Sequence, residues 1–172
     1  MQKWYYYLIF SIILFFIPYS IFIIGDWLGV GVQFSVLKIQ FSDQGNSTID
    51  ILQELRYLTS GVITGKSVLT ILMWAIGSFC IIISIIVLVI LNSRQTIPKI
   101  KYGGMLLILA ATFFLASIIS QYGILFNGPA GVAIPVGLPV LFVIGGWMYM
   151  EGRKEEIGDE EEMAQDIDDE SE

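Results

Sequence analysis

The sequence predicts an all-α membrane protein, a four-transmembrane-helix bundle with a small strand-plus-amphipathic-helix extracytoplasmic segment. Three observations predict it. Four apolar stretches each reach the roughly 20 residues that a helix needs to cross a hydrocarbon core of about 30 Å. Lys and Arg sit at or between the ends of those stretches, not within them. The segment from Glu151 to Glu172 holds 12 of the 16 acidic side chains, so the net charge of -7 belongs to a tail. The body upstream is positive, with seven Lys or Arg against four Asp or Glu.

The first stretch, Trp4 to Ile24, has no ionisable side chain except tyrosine and defines a first helix over residues 1–25. Its length and its Phe and Tyr content argue against a cleaved signal peptide. Val68–Leu91 is the second span and Tyr102–Leu125 the third, the latter with one polar group of note, Gln121. Ala130–Met150 is the fourth, uncharged but holding Pro135 and Pro139. Barrel strands would alternate polar and apolar residues. The run Ile81–Leu91, IIISIIVLVIL, does not alternate, which favours helices.

Lys and Arg near span ends set the orientation. Lys3 precedes span one; Arg94, Lys99 and Lys101 crowd the 92–101 loop; Arg153 and Lys154 follow span four. Both termini and the 92–101 loop are therefore expected in the cytoplasm, with 26–67 and the short turn 126–129 outside. Trp4 to Tyr7 and Trp147 with Tyr149 suit the inner interface, and Trp27 the outer one, as aromatic belts do. No retention or sorting signal is readable, so the plasma (cytoplasmic) membrane of a prokaryote is the expected location.

The outer segment 26–67 carries the only extramembrane apolar patterning. Val32, Phe34 and Val36 alternate with polar residues, then Leu37, Ile39 and Phe41 do, which reads as strand with a bulge at the phase slip. Asp43 to Asn46 reads as a turn. Ser47 is the expected helix cap, with Asp50 three residues on. Ile51, Leu55 and Leu58 form the apolar stripe of a short amphipathic helix, with Asp50, Gln53 and Glu54 facing elsewhere. Asn46-Ser47-Thr48 is a glycosylation sequon in that turn. The tail 151–172 has few apolar residues and is expected to be disordered, a solvated acidic end, a docking strip for a basic partner or a weak divalent-cation buffer.

Chemistry has little to work with. The chain has no histidine, which removes histidine triads, HExxH zinc sites and the commonest proton shuttle. Its one cysteine, Cys80, lies inside span two and cannot form an intrachain disulfide. The non-tail acids Asp26, Asp43, Asp50 and Glu54 all lie outside the spans, so no intramembrane carboxylate pair exists. Ser60 to Ser67, SGVITGKS, is near the phosphate-loop pattern but lacks its first glycine and a leading strand. No catalytic residue, cofactor or metal site is expected, and no nucleic-acid partner.

One polar site is predicted within the helices. Pro135 frees the carbonyl of Gly131, and Pro139 that of Pro135. Reflection about the 126–129 turn brings Gln121 level with Gly131 and Ser117 level with Pro135. Ser117, Ser120 and Gln121 form one stripe whose donors would reach those carbonyls. Packing of a kinked helix, helped by Ala133-x-x-x-Gly137, accounts for this arrangement, and an open polar path is the alternative.

The layout of four spans, a large first outer segment and a tiny third connection is similar to that of claudin-like and other tetraspan proteins in topology alone. The outer segment has no cysteine pair and assigns no family. The function expected is noncatalytic: interaction, assembly or scaffolding of a membrane complex, with the bilayer and a membrane-protein partner or a second copy as contacts. The alternative is a small channel or transporter subunit with a polar path near Gln121, Gly131 and Pro135.

Overall fold

The first apolar stretch does not stay helical. Helix α1 runs from Trp4 to Phe16, 13 residues, or about 20 Å at 1.5 Å per residue. Pro18 ends it, because proline disfavours helical backbone at the residue before it and offers no N–H of its own. The last turn closes with the Ile17 N–H donating to the Ile13 carbonyl at 3.1 Å. The chain then enters strand β1, Ser20–Ile24, whose isoleucines suit a pleated surface. The computed structural model describes residues 4–25, 29–43, 45–92 and 99–169. Lys3, Asp26, Trp27, Gln44 and Arg94, on which part of the expected orientation, turn and interface rests, lie outside them.

The expected all-α four-helix bundle is therefore corrected. The described residues form five helices and one six-stranded antiparallel sheet in the order β4-β3-β2-β1-β6-β5. Among the described residues, only Lys66–Ile90 and Ile100–Tyr122 are helices long and apolar enough to cross a membrane; the apolar helix at Tyr5–Phe16 is shorter. The physical reason is shared by the two stretches that fell short. Each donates one end to the sheet, where proline or glycine interrupts the helix and β-branched residues accept strand geometry.

Strand β2 spans Gly29–Gln33, β3 Leu37–Ser42 and β4 Gly45–Asp50. The phase slip at Val36 is a chain reversal between β2 and β3, not a bulge in one run. It is closed by the Phe34 N–H donating to the Leu37 carbonyl at 2.8 Å. The expected turn at 43–46 is the β3–β4 hairpin, with Ser42 opposite Gly45 and Gly45 at φ 122. Ser47 sits in β4 and caps nothing. Asp50 is the cap of helix α2, Ile51–Thr59, its carboxylate accepting from the Gln53 N–H at 2.9 Å. Glu54, expected to face away, is the buried residue of that helix.

Helix α3 (Lys66–Asn92) and helix α4 (Lys99–Tyr122) pack side by side. Ser84 donates to the Gly103 carbonyl at 3.0 Å across that contact. The sheet is pinned to α3 at the β2–β3 turn. The Trp74 indole N–H donates to the Phe34 carbonyl at 3.0 Å, and the Ser78 hydroxyl donates to the Ser35 carbonyl. It is pinned to α4 by Tyr19, whose ring stacks on fully buried Phe114 at 4.3 Å between centroids and 1° between planes. Such a pair adds about 0.5–1.5 kcal/mol beyond its buried area.

The fourth stretch is the second correction. Asn127–Gly128 (β5) and Gly131–Ile134 (β6) form a hairpin, and β6 pairs with β1 from Ile21↔Ile134 to Ile24↔Gly131. Helix α5 starts only at Leu138. Pro139 stands in its first turn, where a missing N–H costs nothing, and Pro135 follows the end of β6. Gly137 admits a close neighbour, as expected, but the neighbour is the Pro18–Tyr19 backbone and not a helix. α4 and α5 approach closely at Gly104 and Gly145: a Cβ on Gly104 would lie 2.6 Å from the Gly145 carbonyl oxygen. Trp147 of α5 packs against Tyr7 and Phe10 of α1, with ring centroids 5.2 and 6.0 Å away.

α5 continues to Asp169, so the acidic segment expected to be disordered is helical over most of its length. Glu, Lys, Ala, Met and Gln are good helix formers. An existing helix also removes the nucleation cost that makes isolated segments of this size unstable.

Candidate functional site

Strand alternation gives the sheet two faces: the inner one mixes polar side chains with Phe22, Ala133 and Ile24, which lie in or against the core, and the outer one is apolar. Residues paired across antiparallel strands share a face. The pairs Ser20↔Gln33 and Gln33↔Lys38 put three polar side chains in one row, and Gly31↔Gln40 lies in the next. This face looks toward the helices. Phe22, on the same face, lies over Gly31, where any Cβ would collide with its ring. The opposite face carries two apolar rows. Ile134, Ile21, Val32 and Ile39 form one; Val132, Ile23, Val30 and Phe41 form the other. Phe41 is 47% exposed and Ile134 49%, and none of the eight packs against the core.

The inner face closes over a cavity of about 200 Å³ at the ends of α3 and α4. Gln33, Lys38, Glu54, Thr70, Trp74 and Gln121 line it, with Ile63, Ser67 and Ile71. α2 brings Glu54 over the sheet so that its carboxylate stands 3.9 Å from the Lys38 ammonium. Lys38 Nζ also lies 5.3 Å from the Phe22 ring centroid. Burial holds the Lys38 ammonium below its usual pKa, and Glu54 only partly restores it. Tyr19 is fully buried beside Ser117, whose hydroxyl interacts with its own. Burial pushes that phenol well above its ordinary value. The nearby Ser117 hydroxyl gives its proton to the Thr70 carbonyl at 2.9 Å.

The structure divides the polar residues read from the sequence. Gln121 lines this cavity, Ser117 lies next to it, and Ser120 is half-buried on the same end of α4. Gly131 is the first residue of β6, opposite Ile24 at φ 120, and Pro135 follows that strand. Asn46 is exposed in β4, opposite Phe41. Lys38, Glu54 and Gln33 were not singled out. Their signal was a lysine and a glutamine at adjacent strand positions once the reversal at 34–36 is recognised.

A second surface adjoins the sheet. Val36, Leu37, Ile51, Leu52, Leu55 and Phe79 border an apolar groove of about 440 Å³ between α2, the start of β3 and α3. No protein-family model matches this chain. No curated protein matches it either.

Proposed function

We propose that this is a noncatalytic integral membrane protein that acts in the interaction, assembly or scaffolding of a membrane complex. In this reading α3 and α4 are anchored in the cytoplasmic membrane, α1 and the apolar half of α5 pack beside them, and the sheet packs against the outer halves of α3 and α4. Bare apolar side chains on α3 support the anchoring. Leu69, Leu72, Ile76, Phe79, Ile83 and Ile86 recur every three or four residues and are all exposed; hydrocarbon is the medium in which such a ridge is stable.

The observation that carries the assembly reading is the uncovered apolar sheet face. Antiparallel sheets commonly turn their apolar face to the core and their polar face to water. Here the inner face is only part apolar, and eight aliphatic or aromatic residues stand on the outer face, away from the core. A contiguous patch of this kind marks an interaction surface. The free edge of β4, exposed along most of its length, offers unpaired backbone groups beside it. The test is extraction of the full chain in mild detergent, followed by crosslinking and mass measurement. A stable partner or second copy is expected, released by Val30→Lys or Phe41→Lys with the helices intact. A monomer that crosslinks to nothing contradicts the reading.

The polar cavity supports a second reading, a small channel or transporter subunit. Gln121 would belong to its path, whereas Gly131 and Pro135 stand apart in and after β6. Reconstituted vesicles that show no solute or ion flux, alone or with the co-purified partner, remove it.

A further inference from the structure

We propose that the cavity between the sheet and the ends of α3 and α4 binds a small zwitterion, one ammonium joined to one carboxylate or phosphate. The proposal does not depend on the assembly reading. Its first ground is the state of the two charges. Lys38 and Glu54 have side chains only 18% and 10% exposed, yet they stand 3.9 Å apart. That exceeds the reach of a charge-assisted hydrogen bond, about 2.7–2.9 Å. Each ion therefore keeps unused donors or lone pairs in a place where unsatisfied charge is costly.

The second ground is the surrounding polar capacity. The amides of Gln33 and Gln121 make no hydrogen bond among the described residues, and both border the cavity. Gln33 is buried and Gln121 half-buried, and polar groups left open in such a place are normally met by water or a ligand.

Charge balance then selects the ligand class. A simple cation would gain Glu54 but meet Lys38, and a simple anion the reverse. A zwitterion satisfies both, its ammonium toward Glu54 and its anionic group toward Lys38. Size narrows the class further. An apolar cavity of about 150 Å³ takes benzene, so about 200 Å³ suits a molecule as small as an amino acid. Two sources share this chemistry: a free amino acid, and the headgroup of an ethanolamine phospholipid at the membrane surface.

The experiment uses the purified full chain. In one arm glycine, alanine and phosphoethanolamine are titrated by calorimetry in detergent, beside acetate and methylammonium as single-charge controls. In the other, thermal midpoints are compared in nanodiscs of phosphatidylethanolamine and of phosphatidylcholine. Saturable binding of a free zwitterion, at least tenfold tighter than either control, supports a soluble ligand. A higher midpoint only in phosphatidylethanolamine supports the headgroup. In either case Glu54→Gln should weaken the effect at least tenfold. Gln121→Leu should weaken it too while leaving both charges and the fold in place, which separates loss of the site from loss of folding. No saturable binding and no lipid-dependent shift would overturn the proposal. So would equal affinity for acetate or methylammonium, or full retention in Gln121→Leu and Glu54→Gln.

Discussion

Glu54→Leu is expected to be among the most damaging single changes outside the helix contacts. At 3.9 Å, opposite unit charges attract by about 4 kcal/mol if the effective dielectric is 20. That attraction offsets the cost of keeping the Lys38 ammonium out of water. Removing the carboxylate leaves a buried cation with no counter-charge, and breaking such pairs costs about 3–5 kcal/mol. For a chain of this size each kcal/mol moves the midpoint by about 2–4 °C. Thermal unfolding in detergent, followed by circular dichroism, should therefore show a drop of about 6–20 °C. Lys38→Met combined with Glu54→Leu should recover most of it, because a matched apolar pair is often neutral or stabilising by about 1–4 kcal/mol.

The pH dependence supplies an internal check. Burial lowers the Lys38 pKa below its unfolded value of 10.5. Between the folded and unfolded values the unfolded chain holds more proton, so stability rises with pH there; the cost of the buried ammonium is complete below the folded value. Tyr19 works the other way, but only above its unfolded value of 10.0, because its folded pKa is raised. As pH rises toward 10.0, below the range in which Tyr19 acts, the wild-type midpoint should rise relative to that of Lys38→Met. Single variants that cost under about 1 kcal/mol, or a double variant equal to their sum, would refute the reasoning.

The packing and the surface lead to three more expected outcomes. Phe114→Ala removes a fully buried ring stacked on Tyr19 and should cost about 3–5 kcal/mol in the same melt. Gly104→Val puts a side chain into the Gly145 and Tyr149 backbone, so α5 must move away; a loss of about 1–3 kcal/mol or more is expected, with weakened crosslinking between cysteines placed on α4 and α5. In a host that glycosylates exported Asn-x-Thr and Asn-x-Ser sequons, the exposed Asn46 should carry a glycan, and Asn46→Gln should remove the shift in gel mobility.

Much of the helical layer was legible because its signal is local. α3 and α4 coincide closely with Val68–Leu91 and Tyr102–Leu125, whose length and apolarity need no tertiary knowledge. The sheet was only half legible. Alternation announced strands at 32–41, but the reversal at 34–36 contains neither glycine nor proline, so it resembled a bulge. β1 and β6 were hidden inside apolar runs that pass equally well for helix. Pro18 and Pro135 were the available punctuation, and reading Pro135 as a kink in a fourth span concealed β6, the partner of β1. The cavity was the least legible feature. Lys38 and Glu54 are 16 residues apart, and only the β3–β4 hairpin and the turn of α2 bring them together. Gln121 was reached from the sequence as a polar residue near a helix end, whereas its neighbours in space come from the sheet.

The central claim is that the sheet turns its aliphatic face outward to meet another protein. A photoreactive residue placed in turn at Val30, Val32, Gln33 and Gln40, in intact membranes, tests it most directly. The account predicts adducts with a partner or a second copy at Val30 and Val32, and adducts within the same chain at Gln33 and Gln40, which lie on the opposite face. Adducts without this division between the faces, or lipid adducts alone at Val30 and Val32, would contradict it.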